Sequence, residues 1–365
     1  MIEVYKENNK DYTHNGDMFL TPSKCTIKKV LDGDFCLDMN HPLDKEGRYS
    51  YLCVNDVISA PTPNGKQLFR IYNTEKNSTN IIVKADHISR DLKKSIIKKE
   101  PPCNNTAGDY LNSILPSRFK CVKSHRDTNY IEENIIGNTI WEWLEGEGDE
   151  NGFGIGGDAV ADYDNFNISL YRNSEYFFDK SIYATFGYNL KEITEYIDAS
   201  EVYNRVYYKD SDNIISFNPN TDYVDSSDID MNNIKEFMYW FSSNSLWDET
   251  EDYTDSEKKE QIRKYYAKFE LNDRKNPIVN YKVDLVRLRN TVFYKKLGYD
   301  ALENLTNLGD IVYCENKRNN ISTSSRMISY EYDCIKKEFS TIELGDFIPN
   351  FCQLQSKYFK KLLGK

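Results

Sequence analysis

The sequence predicts an α+β chain that is mainly β, with two related β domains, an α+β side domain and an inserted helical hairpin. The stretch 308–346 carries the first observation: three runs rich in β-branched and aromatic residues, separated by polar turn clusters, read as an antiparallel meander. In its middle run Ile328, Tyr330, Tyr332 and Cys334 fall on one face and Ser329, Glu331 and Asp333 on the other, the period of a half-buried strand. The second observation is that this layout recurs near the start of the chain. Asn55-Asp56-Val57-Ile58, Gln67-Leu68-Phe69-Arg70-Ile71-Tyr72 and Asn80-Ile81-Ile82-Val83 follow the order of the later runs. Asp56 and Asp310 lie 254 positions apart, and Arg70 and Arg326 lie 256 apart, so the two sets stay close to register. A chain carrying two related β domains points to a ring-forming part more than to an enzyme.

Residues 1–97 read as the first β domain. Cys25–Leu31 and Phe35–Met39 flank Asp32-Gly33, a hairpin signal because type I′ turns need positive φ. Ile88, Leu92 and Ile96 recur at four-residue spacing and predict an amphipathic helix over 86–98. Pro101-Pro102 ends it and marks a boundary. Residues 98–180 form the side domain, with short helices over 107–115 and 135–145 and strands over 119–123 and 165–171. Its glycine-rich stretch 146–157 lacks the G-x-G-x-x-G spacing of a phosphate cradle and follows no strand, so it reads as a loop. Asp149, Asn151 and Asp158 are too few oxygens for a calcium site on their own.

The second β domain is expected to be discontinuous, 181–225 plus 277–346, with strands over 201–208 and from Ile278 onward. The intervening 226–276 predicts a helical hairpin: Ile234, Phe237, Met238 and Phe241 stand at i, i+3, i+4 and i+7, and Ile262, Tyr265, Tyr266 and Phe269 repeat that spacing. Thr254 and Glu257 supply a capping box for the second arm. The tail, 347–365, alternates Phe351, Leu354, Tyr358 and Leu362 with lysines and reads as a short amphipathic helix, too short for stable membrane insertion.

Composition narrows the function. The 365 residues fit two to four compact units, and a net charge of -11 argues against general nucleic-acid binding while suiting a surface that must not hold DNA. No apolar run is long enough to span a bilayer, and the start lacks the apolar core of a signal peptide. Eight cysteines without a Cys-x-x-Cys pair read as buried thiols of a protein made in a reducing cytosol. His14, His41, His87 and His125 are scattered, and no nucleophile elbow or metal-ligand spacing occurs. No catalytic, cofactor-binding or metal-binding residue is therefore assigned.

Tyr5 and Tyr12-Thr13-His14-Asn15-Gly16, the hairpin Val30–Leu37, His41-Pro42-Leu43-Asp44, Gln67–Tyr72 and Ala85-Asp86-His87-Ile88 resemble the N-terminal hub region of phage tail-tip proteins of the prophage tail endopeptidase type. Tyr281–Leu285, Asn307–Val312 and Tyr330 through Gly345 resemble the far end of that region. The resemblance implies two related β-barrel-like tube domains per chain, assembled as a homotrimer whose six barrels form a ring below the tail tube. It further implies a tail-tube or distal-tail ring above, a fibre, spike or tape-measure protein at the tip, and DNA passing without specific binding. Residence would be in the virion tail after synthesis in the host bacterial cytoplasm. Longer members carry lytic modules beyond the hub region, where this sequence has only Phe347–Lys365, so no catalytic residue is carried over. The expected function is a structural hub that closes the tube and adapts sixfold to threefold symmetry. The alternatives are a tail-associated cell-wall hydrolase or a glycan-binding receptor module using Trp240 and Tyr265.

Overall fold

A computed structural model describes residues 1–31, 33–99, 106–124, 136–145, 159–172, 182–187, 189–210, 218–241, 256–285 and 308–345. These fall into two compact units, one drawn from 1–194 and 281 onward, the other from 195–280. The chain is mainly β, with few helices.

The first unit begins with β1 (Ile2–Tyr5), β2 (Met18–Leu20), β3 (Lys24–Val30), β4 (Phe35–Pro42), β5 (Val57–Thr62), β6 (Gly65–Lys76) and β7 (Asn80–His87). Alternation builds them: in β4 Phe35, Leu37, Met39 and His41 are buried and the residues between them are not. A side layer follows, with helices α1 (Ala107–Ile114) and α2 (Ile140–Glu145) beside β8 (Lys120–Ser124), β9 (Ala159–Asp164) and β10 (Asn167–Arg172). These three strands form their own sheet, ordered β8-β10-β9. Thr106 caps α1 by accepting from Asp109 N at 3.1 Å. At α2 the capping box is reciprocal: Thr139 Oγ1 accepts from Glu142 N at 3.1 Å, and Thr139 N donates to Glu142 Oε2 at 2.7 Å. This cap, two residues after the positive φ of Gly137, starts α2 later than the expected 135.

The chain then enters β11 (Ile182–Thr185) and β12 (Leu190–Asp198), passes through the second unit and returns as β16 (Ile278–Leu285). It ends its described part as the expected meander, β17 (Ile311–Asn316), β18 (Ile321–Asp333) and β19 (Glu338–Gly345). The main sheet runs β12-β16-β19-β18-β3-β4-β7-β6-β5-β1-β2, with β17 on β18 and β11 parallel to β17. One apolar cluster lines it from Ile2 and Val4 through Phe69 and Ile71 to Met327, Tyr330 and Leu344.

The second unit contains β13 (Arg205–Asp210), β14 (Tyr223–Asp225) and β15 (Glu236–Phe241), ordered β14-β13-β15, and the helix α3 (Ser256–Arg274). The expected first helical arm is therefore a strand. Phe-Met-Tyr-Trp-Phe is aromatic and short, and β13 offers it a parallel partner, Val206 opposite Phe237 and Tyr208 opposite Tyr239. Phe237 and Tyr239 pack with Val206, Tyr208, Ala267 and Leu271, which makes period two the productive one. The helical face also differs from the expected stripe: Ala267 and Leu271 are buried, while Tyr265 and Phe269 stand in solvent.

Three further expectations change. The helix over 86–98 is a shorter 3-10 turn, Ile88–Lys94, because His87 caps it and Arg70 grips Asp91 through two nitrogens at 2.8 and 2.7 Å. Ile88 and Leu92 are buried, whereas Ile96 is exposed. At the β3–β4 hairpin Lys29 faces Phe35, and Leu31 N is drawn to Ile328 O at 2.8 Å, so the connection is wider than a two-residue turn. Ser329 keeps the polar face that alternation expects, its Oγ donating to the exposed Glu343 Oε2 at 2.6 Å, but it is covered there, with Val30 of β3 opposite it; the register shift between Met327 and Ser329 lets Met327 and Tyr330 both face the core. Asp32, the double proline, the glycine-rich stretch, Thr254, the C-terminal tail, His125, Cys103 and Cys352 lie outside the described residues.

Of the described cysteines, Cys25, Cys121, Cys314 and Cys334 are buried, Cys36 is partly so and Cys53 is exposed. Burial pushes the Cys314 thiol up to about 12 and Cys36 to about 11. Alkylation of the native protein with peptide mapping is expected to modify Cys53 first and Cys314 only on unfolding. Rapid native modification of Cys314 would contradict the packing of β17.

Candidate functional site

No triad or metal cluster organises the described residues, so the site is sought in the sheet. One constellation merits a chemical test. His87 Nδ1 lies 2.9 Å from Ser89 Oγ and Nε2 lies 3.0 Å from Gln67 Oε1. Gln67 Oε1 also accepts from Asn165 N at 2.9 Å, and an amide oxygen cannot donate, so the proton sits on Nε2. Nδ1 then accepts, in line with the Ser89 N–H pointing at it from 3.3 Å. The ring is fully buried and stacked on Phe35 at 4.2 Å. Burial holds its pKa well below the usual imidazole value, helped by Lys29 and Arg90. This Ser–His pair is sealed from substrate and serves as a packing and capping element. His41 is also buried, with Nε2 accepting from Thr21 N at 3.2 Å, and His14 is an exposed partner of Asp11 at 3.1 Å.

The two aromatics of the glycan alternative are not brought together. Phe237 and Tyr239 face α3, so alternation puts Trp240 on the opposite face of the small sheet, whereas Tyr265 stands exposed on the helix itself. Lys209 Nζ sits 5.8 Å from the Trp240 ring centre.

What the structure does bring together is the repeat. Val57 lies opposite Arg70 in β5–β6, and Ile311 lies opposite Arg326 in β17–β18. Ile71 N donates to Asp56 O at 2.9 Å and Asn55 N to Ile71 O at 2.8 Å; Met327 N donates to Asp310 O at 2.9 Å and Gly309 N to Met327 O at 2.7 Å. Asn55 and Gly309 both adopt positive φ, 73° and 85°, to make that reversed pair possible. The change from 254 to 256 is located in the hairpins: Thr62 pairs with Gly65 across two residues, Asn316 with Ile321 across four.

Beyond the arginines the match continues. β6 shifts register between Ile71 and Asn73 against β7, and β18 shifts between Met327 and Ser329 against β19, the same position in each repeat. The pairs Ile71–Ala85, Asn73–Lys84 and Thr74–Val83 correspond to Met327–Leu344, Ser329–Glu343 and Tyr330–Ile342. The order β5-β6-β7-β4-β3 is thus repeated as β17-β18-β19-β16-β12. The flanking strands differ, β1 being antiparallel to β5 and β11 parallel to β17.

The repeats meet where β3 pairs antiparallel with the second half of β18, Val30 opposite Ser329 through Thr26 opposite Asp333. Cys25 O accepts from Cys334 N at 2.9 Å at one end, and Ile328 O accepts from Leu31 N at 2.8 Å at the other. Cys25 and Cys334 are buried there, and their mutual hydrogen bond, then desolvation, pushes the Cys25 thiol well up. The matching stretch of β6, from Ile71 to Lys76, pairs with β7 and, among the described residues, has no strand on its other side. Sequence reasoning found the repeat but not this joint, since pairing between residues some 300 apart leaves no local pattern.

Residues 183–355 match the model of the prophage endopeptidase tail family. No curated protein sequence matches the chain. Among solved structures, the prophage tail protein gp18 from Listeria monocytogenes aligns with a TM-score of 0.56 at 13% identity, covering 100% of this chain and 99% of its own. The 43 kDa tail protein of prophage MuSo2 from Shewanella oneidensis aligns at 0.56 and 11%, covering 94% and 97%. A tail protein from Neisseria meningitidis aligns at 0.53 and 10%, covering 94% and 96%. The fold is that of these phage tail proteins.

Proposed function

We propose that this chain, which shares its fold with phage tail proteins, is the structural hub of a phage or phage-like tail tip, closing the tail tube as a homotrimer. The observation that carries this reading is the repeated five-strand order, with one shared bulge and matching register on either side of it, within one polypeptide. A sixfold tube docks on a threefold tip when each protomer presents two similar surfaces, and a duplicated sheet supplies them. In this reading the two repeats, β3–β7 and β12 with β16–β19, are the cores of the two tube domains expected at 1–97 and 181–225 plus 277–346, with β13 and β14 set apart in the second unit, and each repeat faces one subunit of the ring above. A fibre, spike or tape-measure protein continues the tip below. The net charge of -11 suits a passage through which DNA moves without adhering.

The role is structural rather than catalytic. The Ser89–His87 contact is the one serine–histidine pair among the described hydrogen bonds, and it is buried beneath Phe35. Purified chain is expected to release no dye from labelled peptidoglycan. Release that disappears on substitution of a single carboxylate or histidine would move the chain to the cell-wall hydrolases. The hub reading itself is tested by light scattering across a concentration series and by imaging of particles. A trimer mass and threefold density at the tail tip support it; a monomer at every concentration overturns it.

A further inference from the structure

The same strand position is covered in one repeat and open in the other. β18 is flanked by β19 on one side and, in its second half, by β3 on the other; there Ile328 is 8% exposed and Ser329, Tyr330 and Tyr332 are buried. At the matching positions of β6, Tyr72 is 53% exposed, Thr74 is only partly covered, and Asn73 and Lys76 are exposed. The counterpart of β3 is β12, which among the described residues ends the main sheet beside β16 and carries Tyr196 and Ile197 at 55% and 56% exposure. An open backbone edge beside exposed apolar side chains is a template for a further strand. Among the described residues each chain therefore holds one completed joint, β3 on β18, and the two unjoined halves of a second.

We propose that β6 and β12 form the joint between copies of this chain, with residues 71–76 of one copy pairing antiparallel with β12 of the next as β18 pairs with β3 inside each copy. The occupant is a second copy because the edge it must fit is the counterpart of one already fitted within the chain, down to the bulge whose carbonyl, Ile328 O, takes the Leu31 N–H. Tyr72 O is the corresponding acceptor. Head-to-tail repetition of the joint closes a ring, with three copies giving six repeats. This inference rests on the trimeric reading and names the surface that makes it.

The experiment uses the full chain, with a photo-crosslinking residue at Asn73 and, in a second variant, at Glu75, both exposed. Isotopically light and heavy protein are mixed, irradiated and mapped by mass spectrometry while mass is measured in parallel. Mixed-isotope cross-links from both positions to 190–198, together with a trimer mass, are expected. A trimer whose cross-links from 73 and 75 fall elsewhere overturns the joint and leaves the threefold reading standing. Links to 190–198 in a dimer or an open polymer support the joint and overturn the threefold reading. A monomer without intermolecular links overturns both. As an independent check, Ile197→Lys places a charge on the exposed edge and is expected to abolish the trimer while leaving the circular dichroism spectrum unchanged. A trimer that survives it together with the cross-links of the parent would remove β12 from the joint.

Discussion

Tyr330→Ala is expected to destabilise the main sheet by about 3–5 kcal/mol, the usual cost of deleting a buried aromatic side chain. Tyr330 is buried where β18 is held by β19 and β3 together, and its ring meets Phe339 edge-on with centres 5.4 Å apart. Thr74 occupies the corresponding place opposite Val83 and is flanked by β7. Thr74→Ala is accordingly expected to stay within about 0.5 kcal/mol. Urea unfolding of both variants in dilute solution checks the contrast. Equal losses would show that the two repeats are equally covered inside a single chain, removing the asymmetry on which the proposed joint depends.

The second large effect is acid sensitivity from His87. Its folded pKa is depressed, because burial and the neighbouring Lys29 and Arg90 disfavour the imidazolium. Protonation would also aim a new Nδ1–H at the Ser89 N–H that Nδ1 now accepts. A group with a depressed folded pKa contributes its full stability above the unfolded value. Below about pH 6.5 the unfolded chain binds the extra proton first, so stability falls as pH falls, by at most about 1.4 kcal/mol per unit, until the folded pKa is reached. His87→Gln removes this titration. The wild-type minus variant difference in urea midpoint is expected to drop from pH 7 toward pH 5, both about the range in which free imidazole titrates. A flat difference would show that the ring titrates alike in both states.

The contact between the side layer and the main sheet also passes through this region. The β9–β10 turn puts Asn165 in a left-handed conformation, φ 55°, and Asn165 Oδ1 accepts from Leu68 N at 2.9 Å while Gln67 Nε2 donates to Asp164 Oδ1 at 2.9 Å. Gln67 thereby ties His87, Asn165 and Asp164 into one network, and its role is structural. Nothing in the spacing of Gln67, His87 and Asn165 along the chain announces it.

The amino-acid sequence by itself determined the features that repeat over short distances. β-branched and aromatic runs marked β17, β18 and β19, and the Asp56–Arg70 and Asp310–Arg326 spacings marked the repeat. Tertiary structure alone decided whether Phe237–Phe241 is helix or strand, since its apolar residues satisfy both periods and the choice rests with β13 and α3. It also decided that Ser329 is covered on its polar face, that His87 is sealed, and that β3 rather than a second chain closes β18. Backbone hydrogen-bonding groups along a strand edge are the same for every residue, so which edge finds which partner is set by where the folded chain brings them.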